Sequence, residues 1–90
     1  MILKASSRSR PQALAGAIAA RLRESGQAVV QAVGAGAVNQ AIKAAVLARG
    51  YLKGEGGDLV LQPSLREINL DGFTRTVTVL DIQRVNDGDH

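Results

Sequence analysis

The chain has no cysteine, no tryptophan, a single histidine, a single tyrosine, a single phenylalanine and two prolines among 90 residues. Without cysteine there is neither a disulfide framework nor a thiolate metal site. The only histidine, His90, ends a polar stretch from Val85 that reads as a disordered tail. Catalytic zinc and histidine-based triads therefore have no footing, and no metal or other cofactor is expected. Aromatics are 2% of the chain and apolar residues 46%, much of that share alanine, so the core has to be aliphatic and closely spaced. Long apolar runs are missing too. Nothing approaches the ~20 residues that cross a bilayer, and Met1 to Leu3 before Lys4 is too short for a secretion signal. A cytoplasmic protein with no membrane partner is the expectation.

Ninety residues suit one compact domain, expected over residues 1–84 with 85–90 as the tail, and leave no room for a two-domain enzyme. A chain of this size buries only roughly 60 to 65% of the surface its unfolded form exposes, so association with a second copy adds stability and a homodimer is expected.

Charge is unevenly placed. Residues 1–53 carry Lys4, Arg8, Arg10, Arg21, Arg23, Lys43, Arg49 and Lys53 against the single acid Glu24, whereas residues 54–90 carry three bases and seven acids. The halves stand at +7 and −4, with a net charge of +3. A basic half on a small domain is the footprint of a polyanion partner, usually nucleic acid; the plainer account is solvated arginines answering the helix dipoles.

Along the chain, Ile2 to Ala5 reads as a short strand, and Ser6 to Arg10 as a loop before Pro11. Leu14, Ile18 and Leu22 recur every fourth residue among alanines, which predicts a first helix from near Pro11 to Gly26. Its start is either a Ser9 N-cap with Gln12 completing a capping box, or Pro11 itself in the first helical position. Ala28 to Val33 reads as a second, mostly buried strand, followed by Gly34-Ala35-Gly36. A second helix follows, with Val38, Ala41, Ile42, Ala45 and Val46 as its apolar stripe and Gly50 at its end. After the glycines at 54, 56 and 57, Leu59 and Leu61 alternate with polar neighbours to Pro63, and the apolar phase then slips to the even positions 68 and 70. Pro63 therefore lies at a sheet edge or at a bulge. Asp71-Gly72 predicts a two-residue type I′ hairpin pairing Leu70 with Phe73, Ile68 with Arg75 and Arg66 with Val77, the returning strand reaching about Arg84.

Few motifs carry chemistry. Gly34-x-Gly36 lies between a strand and a helix, but the third glycine of a dinucleotide loop is replaced by Asn39, and no Gly-Lys-Ser/Thr follows. The glycines are read instead as letting the chain turn and the second helix pack close to the sheet. The carboxylates are scattered, with no pair at helical spacing in an apolar segment, so neither an enzyme nor a small-molecule substrate is expected. The serines and arginines of the Ser6–Arg10 loop suit phosphate oxygens, and read equally as a solvated loop with a serine cap. Arg66 and Arg75 either reach a duplex on a two-stranded arm or rim a dimer surface whose apolar members are Ile68, Leu70, Phe73 and Val77.

The run from Gly34 to Ala44, with Asn39-Gln40-Ala41-Ile42-Lys43 at its centre, then Ala48-Arg49-Gly50-Tyr51, closely resembles the stage V sporulation protein S family. Lys4-x-Ser6 before Pro11, Ala15-Gly16-Ala17 and the Ile68 to Arg75 hairpin are similar to its other landmarks, and the likeness spans about Ile2 to Arg84. The resemblance implies an α+β, Alba-like fold in β-α-β-α-β-β order, with a four-stranded mixed sheet, two helices on one face, and a dimer as the working unit. It also implies binding of DNA or RNA by the first loop (Ser6, Arg8, Ser9, Arg10), the start of the second helix (Asn39, Gln40, Lys43) and the hairpin arms (Arg66, Arg75), in bacterial spore development or septation. Archaeal Alba proteins carry lysines in the first loop, where this chain has serines and arginines. The expected function is thus a non-enzymatic nucleic-acid-binding regulator that grips the phosphate backbone; the alternative is a protein-interaction adaptor in division or sporulation.

Overall fold

The computed structural model describes residues 1–87 and has the element order β1 (Leu3–Ala5), α1 (Pro11–Ser25), β2 (Gln27–Ala32), α2 (Ala35–Lys53), β3 (Gly57–Leu70) and β4 (Phe73–Asn86). The strands form one sheet in the order β1-β2-β4-β3. β1 runs parallel to β2, and the other neighbours are antiparallel, so the sheet is mixed as expected.

α1 starts at Pro11, because a residue before proline is held out of the helical region, and Arg10 is extended at φ −80° and ψ 121°. No side chain caps the helix; the Ser9 hydroxyl accepts the Ser6 N–H inside the loop instead. The other end stops at Gly26, whose φ of 80° lets its N–H reach the Leu22 carbonyl.

α2 departs from the expectation twice. It continues a full turn past Gly50, to Lys53. A mid-helix glycine costs about 1 kcal/mol relative to alanine, but the extra turn buries Leu52 completely, worth about 1.5–3 kcal/mol. It is also turned relative to the predicted stripe. Ala37, Ala41, Ala44, Ala45 and Ala48 face the core, while Val46 is 64% exposed and Ile42 38%. An alanine face lets α2 lie close to α1, which contributes Ala15 and Ala19 beside Leu14, Ile18 and Leu22 to the same core.

Beneath the helices, the sheet supplies Ala28, Val30, Leu80 and Ile82, with Leu59 at the edge. β3 and β4 stay in one unbroken register from Gly57 opposite Asn86 to Leu70 opposite Phe73, so the apolar phase change is no bulge. Leu59 and Leu61 lie on the helix side of the sheet, and Ile68 and Leu70 on the other side, where the hairpin has already left the body. Pro63 sits opposite Leu80 on the outermost strand, where a missing N–H is tolerated. Asp71 and Gly72 have φ of 51° and 81°, the doubly positive pair of a type I′ turn.

β2 pairs only with Thr78–Gln83 of β4 and Val77 is still buried against the body, so Phe73–Thr76 and their partners project as a free arm of about 14 Å at 3.4 Å per residue. The protein is 45 Å long and 22 × 19 Å across. At the other end, the expected tail begins as strand. Val85 and Asn86 belong to β4, and the Asp87 N–H reaches the Gly56 carbonyl at 3.2 Å. Gly88, Asp89 and His90 lie outside the described residues.

Candidate nucleic-acid interface

Parallel pairing of β1 with β2 carries the end of both strands, and therefore the Ser6–Arg10 loop and the start of α2, to one end of the sheet. The register of β4 against β2 places the hairpin tip at that same end. All three expected contact groups thus share one end of the molecule.

The loop is a built structure. Ser9 donates its N–H to the Ser6 carbonyl at 3.1 Å, the Ser6 N–H returns to Ser9 Oγ at 2.9 Å, and the Arg8 N–H reaches Ser6 Oγ at 3.2 Å. Gln40 Nε2 donates to the Ser9 carbonyl at 2.7 Å and ties the loop to α2. A side chain at position 36 would stand 2.9 Å from the Cβ of Ser7, so Gly36 serves the approach of the loop rather than of the sheet. Gly34, at φ 89°, makes the turn into the helix. Ser6, Ser9 and Gln40 shape the loop, leaving Arg8 and Arg10 as its exposed cations, with exposed Asn39 and Lys43 a helical turn apart on α2. Neither helix has a side-chain N-cap, so first-turn N–H groups of both face this end.

The arm places Arg66 and Arg75 on one face with Ile68, Leu70 and Phe73. Among the described residues it makes no hydrogen bond or ion pair to the loop. Of the expected dimer surface, Phe73 is 71% and Leu70 46% exposed, but Val77 is fully buried within the protomer and cannot meet a second copy there.

Three acids of the second half, Glu55, Asp58 and Asp87, are engaged at the opposite end, while Glu67 and Asp71 stand exposed on the arm. Arg23 binds Glu55 at 2.6 Å, with Arg84 at 4.0 Å. Arg49 binds buried Asp58 at 2.6 Å, and Lys53 bridges Asp58 at 3.2 Å and Asp87 at 2.7 Å. Hydrogen bonding from Arg49, helped by the Leu59 N–H and Lys53, holds the Asp58 carboxyl well below the usual carboxylate range against the opposing effect of burial. Arg23 likewise lowers Glu55. By contrast Lys4, Arg8, Arg10, Lys43, Arg66 and Arg75 make no ion pair among the described residues. Sequence reasoning missed the Asp58 staple, whose signal was Arg49 and Lys53 one turn apart on a helix followed by an acid at the next strand.

Among the described residues no cluster of three or more His, Cys, Asp or Glu is placed to hold a metal, and no helix is long and apolar enough to cross a membrane. The fold and this end define a small two-layer α+β protein with unpaired cations on a braced loop, a helix start and a projecting β-arm. Residues 1–85 match the model of the family described as Stage V sporulation protein S (SpoVS). The chain belongs to that family, which implies a sporulation-related role.

Proposed function

We propose that this protein is a cytoplasmic, non-enzymatic, dimeric regulator of sporulation, septation or related development that binds DNA or RNA chiefly through the phosphate backbone. The observation that carries the reading is the distribution of charge among the described residues. Glu55, Asp58 and Asp87 neutralise Arg23, Arg49, Lys53 and Arg84 at one end. Lys4, Arg8, Arg10, Lys43, Arg66 and Arg75, without ion pairs among those residues, outnumber Glu67 and Asp71 across the loop, the start of α2, the arm and neighbouring β1; Arg21 is held at the far end by the Met1 carbonyl. If two protomers together neutralise about six phosphates, titration of labelled DNA and RNA at two salt concentrations gives a log K against log salt slope near −5 on duplex DNA. No binding to either polymer at low salt overturns the reading.

The brace between loop and helix gives a second test. Gly36→Ala pushes a methyl group into Ser7 and is expected to weaken binding several-fold, with Tm changed by only a few degrees because Ser7 lies on an exposed loop. Equal affinity in the variant means the loop seat is not part of the interface.

The exposed ridge of Ile42 and Val46, flanked by Leu61 and continued along the arm by Leu65, 74% exposed, favours a protein contact. A second copy on that ridge makes the dimer and leaves the arm tips free. A division or regulatory partner on the same ridge is the adaptor alternative, in which a charge at Val46 abolishes activity in cells and loss of the loop arginines does not.

A further inference from the structure

The tip of the β3–β4 arm carries more than charge. Leu70 and Phe73 pair directly across the last position before the turn, and they are 46% and 71% exposed at the end of a projecting ribbon. Phe73 is the only phenylalanine in the chain, and most of its surface is left open by the described protomer. The tip is held in shape, because Asp71 and Gly72 take the turn conformation and the Gly72 N–H reaches Asn69 Oδ1 at 3.2 Å. On the same face, a step back along the arm, stand Arg66 and Arg75, diagonal to one another across the two strands and without acidic partners among the described residues. Glu67 and Thr76 occupy the opposite face.

We propose that Leu70 and Phe73 form an apolar wedge that enters the minor groove of duplex DNA and parts a base step, bending the duplex while Arg66 and Arg75 hold the flanking phosphates. This rests on the nucleic-acid reading above and names the form of nucleic acid and the mode of contact. An apolar pair at a turn-fixed tip with two cations behind it matches what a stacked, negatively charged duplex requires. Burying the pair between bases offsets the unstacking, and the bend brings phosphates to the arginines. A single-stranded platform needs successive aromatic faces, and the arm has one. A bilayer is disfavoured by Asp71, whose carboxylate lies in the turn between the two apolar residues and would be carried into hydrocarbon ahead of them. In the minor groove that carboxylate stands against the negative potential of the groove, and the guanine 2-amino group is the donor that offsets it, so the wedge favours a G·C-containing step.

The test uses the full chain and a duplex of about 30 base pairs carrying a fluorescent donor and acceptor at its ends, with binding read by anisotropy and bending by energy transfer. The wild-type protein is expected to bind and to raise transfer by an amount matching a bend of roughly 20–90°. Phe73→Ala is expected to return transfer to that of the free duplex, to lower affinity and to flatten the salt slope only by the phosphates that the bend brings to Arg66 and Arg75; Phe73→Leu retains the bend. The double variant Arg66→Ala/Arg75→Ala is expected to reduce the slope by about one unit for each phosphate it leaves unneutralised. Phe73 is exposed, so each variant's Tm reports that its fold is intact. Binding without bending, or bending that survives Phe73→Ala, overturns the wedge and leaves the nucleic-acid reading standing. Failure to bind any nucleic acid overturns both. Phe73-dependent binding to anionic vesicles, or conversion of dimer to monomer by Phe73→Ala, also overturns the wedge.

Discussion

Replacing Arg8 and Arg10 by alanine lowers affinity for DNA or RNA by more than about a hundredfold at low salt and flattens the salt slope from near −5 to near −2. The expectation follows from where these two side chains stand. The loop that carries them is closed by its own hydrogen bonds and braced by Gln40, so the arginines hold up nothing in the protomer. Both are exposed and make no ion pair among the described residues. Their removal is therefore nearly neutral for folding, with Tm held within a few degrees, and its whole effect falls on the partner. In a dimer the double substitution withdraws the cations from about four of the roughly six phosphates, which sets the change in slope at about 0.9 per phosphate. Fluorescence anisotropy at several salt concentrations reads both quantities. An unchanged slope would sink the backbone-binding reading and move weight to the ridge on α2 as an adaptor surface.

Asp58→Ala is the largest expected loss of stability, a fall in Tm of about 5 to 10 °C read by thermal melting at neutral pH. The carboxylate is fully buried and ties Arg49 and Lys53 of α2 to the Leu59 N–H of β3. Its loss frees the last turn of the helix, the one that continues beyond Gly50. The pH dependence has a definite sign. The folded-state pKa of Asp58 lies below that of the unfolded chain, and Glu55 is shifted the same way. The stability they contribute is complete above the unfolded carboxylate range and is lost as pH falls through it toward the folded-state values. The wild-type Tm is thus expected to be level near neutrality and to drop below about pH 4, and Asp58→Asn to make that drop shallower. A variant with the wild-type Tm and acid profile would show that the staple contributes nothing.

Much of the architecture was legible because its signals were local. Asp71-Gly72 set the hairpin register to the residue, and Leu14, Ile18 and Leu22 marked the buried face of α1. The facing of α2 was not legible. Its alanine stripe and its β-branched stripe both repeat at helical spacing, and what chooses between them is how near α1 can come, a property of the packed pair. Gly50 read as a terminus because the burial of Leu52 and the salt bridges to Asp58 and Asp87 depend on where the later strands return beside the helix, which the chain's local signals do not state. At the candidate interface, the residue types were readable but the division of labour was not. Serine hydroxyls and the Gln40 amide look like phosphate ligands in a linear chain, and the fold shows them occupied in bracing the loop. The tail was read from polarity alone, yet Val85 and Asn86 are strand because β3 extends alongside them.

Pro63 carries a consequence for how copies of this protein accumulate. The outermost strand is fourteen residues long, long enough to template a stranger's backbone, and an uninterrupted rim of that length invites fibre growth. The imino ring midway along it removes a donor and closes off ribbon-like extension. The other edge of the sheet, β1, is three residues long and offers little backbone to a neighbour, so contacts between copies fall mainly to side chains, which come apart more readily than a shared ladder.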